Sequence, residues 1–80
     1  MLTSEQIRGA RGMLRWSAAK LAEMSGVSLP TIQRMEAARG VPKSLSTNIQ
    51  AIQNALEVGG VIFIDQGDGG GPGVRLKDPV

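Results

Sequence analysis

Apolar positions recur along this chain with two different periods, and the change of period divides it. Ile7, Ala10, Met13 and Leu14 repeat at helical spacing behind Thr3-Ser4-Glu5-Gln6. That opening pairs a hydroxyl with a Gln three places on, the signature of a helix start. A first helix is predicted to about Arg15. A second begins at Ser17, turns Leu21 and Ala22 inward with Met24 beside them, and stops at Gly26, where a residue without Cβ can adopt the left-handed conformation. Ser28 is the expected N-cap of a third helix, in which Pro30 occupies the tolerant first turn and Ile32 and Met35 face inward. After Arg39-Gly40-Val41-Pro42-Lys43 a fourth helix is predicted from Ser44 or Ser46, with Leu45, Ile49, Ile52 and Leu56 as one apolar stripe ended by Gly59 and Gly60.

Beyond Gly60 the period shortens. Val61-Ile62-Phe63-Ile64 is a β-branched and aromatic run, and Val74-Arg75-Leu76-Lys77 alternates apolar with basic, so two antiparallel strands are predicted around "DQGDGGGPG". These glycines lack the Lys-Ser/Thr of a phosphate loop and open no helix, which argues against nucleotide binding. The predicted organisation is one mainly helical domain over residues 1–58, with a β-hairpin extension over 59–80 that belongs to the same compact unit or forms a dimer interface. The first strand is apolar on both faces. A two-fold dimer meeting through Leu56, Val61, Ile62, Phe63 and Ile64 is the expected cover.

Composition removes several function classes. The 80 residues include no Cys and no His, so a thiolate or imidazole metal site and the commonest general base are both missing. No enzyme activity, metal or cofactor is expected. Trp16 is one of two aromatic residues and is read as a core anchor. The start of the chain has no signal-peptide pattern and no apolar run reaches membrane-spanning length, giving an expected cytoplasmic protein without membrane association. Charge is uneven: up to Leu56 seven basic residues face three acidic ones, whereas from Glu57 onward two basic face four acidic. The basic excess in the helical part is a footprint suited to a polyanion.

The segment "SAAKLAEMSGVSLPTIQRMEA", residues 17–37, joins two short helices through a Gly-containing turn. That spacing fits a helix-turn-helix, whose second helix enters the major groove of DNA. Ala22 is small where the helices cross, and Leu21, Val27, Ile32 and Met35 are apolar where the angle must be held. Here the chain resembles the XRE family of small phage-repressor-like bacterial regulators. The resemblance covers about Ile7 to Leu56 and is carried best by "LAEMSGVSLPTIQRMEA". It implies a phage-repressor-like domain of four to five helices with a short C-terminal β-hairpin. It also implies an ion pair between Arg11 and Glu36, at the positions where the family joins its first helix to the end of the recognition helix.

The expected function is a sequence-specific DNA-binding transcriptional regulator, a repressor or autoregulator, acting as a homodimer on a double-stranded operator. Leu29, Thr31, Gln33 and Arg34 are the expected base readers, and Ser17, Ser28, Arg39 and Lys43 the expected phosphate contacts. Arg8 and Arg15, seven apart on the first helix, share a face that either flanks the duplex or merely solubilises the helix. The family's Gln at the second position of the second helix is replaced by Ala18, its acidic cap by Ala19 and Lys20, and Leu29 and Pro30 stand where polar base readers are common. These departures open a second reading: an antiactivator or adaptor that binds another regulatory protein, with Leu29, Met24 and Ala37 as its exposed apolar contacts.

Overall fold

Local capping sets the boundaries of the first two helices. The computed structural model describes residues 1–67 and 69–79. Helix α1, Ser4–Leu14, starts at Thr3, whose hydroxyl accepts from the Gln6 amide while Gln6 Oε1 accepts from the Thr3 amide at 2.9 Å. It ends one residue earlier than expected, because Arg15 takes the left-handed conformation (φ 57°). Helix α2, Ala18–Ser25, is capped by Ser17, whose hydroxyl accepts from the Lys20 amide at 2.9 Å, and closes on Gly26 at φ 77°. Helix α3, Leu29–Ala37, follows directly. Ser28 is its N-cap, as the sequence predicts, but its hydroxyl bonds no helix amide; Pro30 removes one of the two amides a capping hydroxyl normally takes.

Helix α4, Ser46–Gly59, begins after Leu45, which is its extended N-cap and 70% exposed. The expected stripe therefore loses its first member, since a residue outside the helix does not follow its period. Ile49, Ile52, Ala55 and Leu56 form the buried face instead. Gly60 then turns the chain at φ 121° into strand β1, Val61–Ile64, paired antiparallel with β2, Gly73–Leu76. The register sets Val61 against Leu76, Ile62 against Arg75, Phe63 against Val74 and Ile64 against Gly73. The second strand thus sits one residue earlier than its apolar-basic alternation suggested, and the Lys77 amide extends the pairing by donating to the Gly60 carbonyl at 2.8 Å.

The described residues are mainly helical, with four helices and one hairpin around a single core. Ile7 and Ala10 of α1, Leu21 of α2, Ile32 and Met35 of α3, and Ile49, Ile52 and Leu56 of α4 meet there with Val61 of β1. Each fully buried Leu or Ile contributes about 1.5–3 kcal/mol by leaving water. Phe63, Val74 and Leu76 pack on the same core from the inner face of the hairpin, and α1 contacts both strands. Among the described residues, Val61 of the hairpin belongs to the same core cluster as the helices. Trp16 also packs against this core, over Gly59. Among the described residues no helix is long and apolar enough to cross a membrane.

Candidate nucleic-acid interface

The C-terminal end of α3 is held by side chains of α1. Helix ends leave carbonyls without intrahelical partners, and donors or cations placed there are favourable. Ser4, fully buried, donates its hydroxyl to the Met35 carbonyl, and Arg8 donates to the Glu36 carbonyl. The Ser4 amide donates to the Gly40 carbonyl at 2.8 Å, and the Gly40 amide returns a bond to Glu5 Oε1 at 3.1 Å. Glu5's own backbone amide and that of Gly40 hold its carboxyl below the usual range. Arg8 is thereby committed to α3 and to a 3.7 Å ion pair with Glu5, and Arg15 lies beyond the helix as its cap. Both arginines remain exposed, and the Arg8 guanidinium is engaged by Glu5 and by the end of α3.

Arg11 and Glu36 make a two-pronged contact, Nε to Oε2 at 2.8 Å and Nη2 to Oε1 at 2.7 Å. Arg11 Nη1 also donates to the Trp16 carbonyl at 2.9 Å, so one guanidinium ties α1, the α1–α2 connection and α3 together. Hydrogen bonding to Glu36 raises the Arg11 pKa above its ordinary value, with desolvation opposing it. A flat fork matching a carboxylate is the geometry in which Arg, unlike Lys, gives both strength and orientation.

With its inner face and C-terminal end so fixed, α3 presents Pro30, Gln33, Arg34 and Ala37 to solvent. Ser28, Thr31 and Arg34 stand one turn apart on one face and are linked. The Ser28 hydroxyl donates to Thr31 Oγ1 at 2.8 Å, and Arg34 Nη2 donates to the same oxygen at 3.2 Å. Leu29 is half-buried at the first helical position and offers less surface than the sequence suggested. Ser17 is exposed, with one lone pair spent on the Lys20 amide. Arg39 and Lys43 are exposed in the connection between α3 and α4, and Arg39 is near enough to Glu5 to lower its pKa. The structure brings Ser28, Thr31 and Arg34 into one cluster. Among the described residues, no hydrogen bond joins Ser17, Arg39 or Lys43 to it.

The expected dimer surface changes more. Leu56 and Val61 are 0% and 2% exposed inside their own core, so these two are not available to a second copy, and Phe63 packs on that core and is only partly exposed. The alternation of the strand leaves Ile62 and Ile64 outside, 36% and 43% exposed. Sequence reasoning also missed an open groove of about 310 Å³ between α2 and α4, lined by Met24, Ser25, Ala51, Asn54, Ala55 and Val58. Val58 is 81% exposed at its rim, and its place beside the buried stripe of α4 was the available signal. No protein-family model matches this chain, and no curated protein matches it.

Proposed function

We propose that this chain is a sequence-specific DNA-binding transcriptional regulator of the phage-repressor-like kind, with α2 and α3 as its helix-turn-helix and α3 as the helix that enters the major groove. The observation that carries the reading is the exposed face of α3. It offers Gln33 and an Arg34 whose charge no carboxylate neutralises among the described residues, on a helix anchored by the Arg11–Glu36 fork. Gln and Arg are the side chains that form paired hydrogen bonds with base edges. Ser17, Arg39 and Lys43 are the proposed phosphate contacts, which set register without reading sequence, and Ser28 joins them only by turning its one hydroxyl hydrogen away from Thr31. A symmetric homodimer through Ile62 and Ile64 would present two copies of α3 to half-sites about one helical turn apart.

One observation favours a second reading, in which the same fold binds another regulatory protein. Met24 and Val58, 43% and 81% exposed, flank the groove between α2 and α4 and suit an apolar partner surface. A gel shift with the DNA immediately upstream of the chain's own gene, at low and moderate salt, separates the two. A sequence-dependent shift that survives moderate salt supports the DNA reading. Salt-labile binding to any duplex, or none, favours the protein partner.

A further inference from the structure

The hydrogen bonds on α3 point to a division of labour that deepens the DNA reading and rests on it. Ser28 occupies an N-cap position, where Pro30 has no amide hydrogen to offer at the second helical position, and its hydroxyl is turned to the Thr31 side chain. Thr31 Oγ1 accepts from Ser28 at 2.8 Å and from Arg34 Nη2 at 3.2 Å, filling both of its acceptor sites. One edge of the Arg34 guanidinium is therefore tethered to the helix it stands on. The rest of the fork faces outward, and no carboxylate competes for it among the described residues.

A long side chain in solvent samples many rotamers, and a hydroxyl that holds one of them lowers the ordering cost of binding. A tethered guanidinium offers parallel donors and no acceptor. Guanine alone among the bases presents two adjacent acceptors, O6 and N7, on its major-groove edge. Adenine sets an amino donor beside its N7 and so opposes the same fork. We propose that Thr31 is a positioning residue that holds Arg34 for guanine, so that the DNA bound by this chain carries a G·C pair where Arg34 enters the groove.

The test is selection from a randomised duplex pool with the full chain, in parallel for the wild type and for Arg34→Ala, Thr31→Val and Thr31→Ser, with thermal melts to show that each is folded. The position read by Arg34 is the one whose preference Arg34→Ala abolishes. Guanine is expected there in the wild type and in Thr31→Ser, which keeps the hydroxyl. Thr31→Val should still bind the selected DNA but discriminate guanine from adenine roughly tenfold less well. Unchanged discrimination in a folded Thr31→Val, or a base other than guanine at that position, overturns the proposal and leaves DNA binding standing. Failure to enrich any sequence overturns both.

Discussion

Gln6 Nε2 donates to the carbonyl of Gly73 at 2.9 Å, joining the first turn of α1 to the start of β2 across 67 residues of sequence. The same nitrogen reaches the Ile64 carbonyl at 3.3 Å, and Ile64 is the register partner of Gly73, so one buried amide holds the loop end of the hairpin. Its oxygen meanwhile serves the Thr3 amide. Removing a buried partner costs more than the bond itself is worth, since the groups left behind lose both protein and water. Gln6→Ala should destabilise the fold by about 1–3 kcal/mol. It should also speed hydrogen exchange in β1 and β2 more than in α2 and α3. Equal acceleration throughout would mean that Gln6 supports the whole core and has no particular hold on the hairpin.

The Arg11–Glu36 fork is partly shielded, with side-chain exposures of 24% and 11%, and either partner alone would be a poorly solvated charge. Arg11→Ala should therefore cost on the order of 3 kcal/mol, and Arg11→Met combined with Glu36→Leu should recover much of the loss. Chemical denaturation of the two single variants and the double variant gives the coupling. A coupling energy near zero would show that the contact contributes orientation without stability.

Two glycines in helices should respond to alanine in opposite directions. A Cβ at Gly59 would lie 2.7 Å from Trp16 Cη2 and 2.9 Å from Leu14 Cδ1, whereas one at Gly12 meets nothing within 4 Å. Gly12→Ala should raise the melting temperature, with a gain of up to about 1 kcal/mol from helix propensity. Gly59→Ala should lower it, because overpacking costs about 1–3 kcal/mol and displaces the indole. Tryptophan fluorescence should change only in the second variant. A stabilised Gly59→Ala would mean that Trp16 has room to move away.

How much of this was legible in sequence follows from how local each cause is. The four helices, the ends at Gly26 and Gly59-Gly60 and the inward Ile32 and Met35 all come from periodicity and caps within a few residues. Leu45 was misjudged because an apolar residue one step before a helix has the right spacing and the wrong backbone. Ser28 stands at the N-cap position that the sequence predicts, whereas the bond from its hydroxyl to Thr31 depends on a choice of partner that no pattern encodes. The Gln6 to Gly73 bond and the seat of Trp16 on Gly59 join distant segments, and no periodic pattern announces such contacts. For the candidate interface, the side chains of α3 and the apolar phase of Leu56 were readable from helical spacing, whereas the commitment of Arg8 to the end of α3 and the choice of which face of β1 is buried required the packed chain.

Dimerisation, if it uses the hairpin, must use its outer face. Ile62 and Ile64 alternate outward on β1, with Arg75 and Gly73 opposite them. Ile62→Lys should leave the melting temperature nearly unchanged and convert a micromolar dimer to a monomer by light scattering. Phe63 is unsuited to this test because it packs on the core. A wild-type chain that stays monomeric at hundreds of micromolar would rule out this interface, and operator binding would then have to come from a single α3.

Base reading and phosphate contact leave different signatures, which lets α3 and the connection that follows it be tested separately. Arg34 projects from the exposed face of α3, and Lys43 lies in the connection before α4. A side chain paired with a base edge contributes to one sequence over others, so Arg34→Ala should lose about 1–3 kcal/mol with the selected DNA and much less with random duplex. A cation at a phosphate displaces a condensed counterion whatever the sequence. Lys43→Ala should accordingly weaken all duplexes to a similar extent and reduce the slope of log K against log salt by about 1. Titrations of both variants on selected and random DNA at several salt concentrations distinguish these patterns. If Arg34→Ala binds the selected sequence as tightly as the wild type, the exposed face of α3 does not read DNA, and the groove between α2 and α4 becomes the leading surface of the protein.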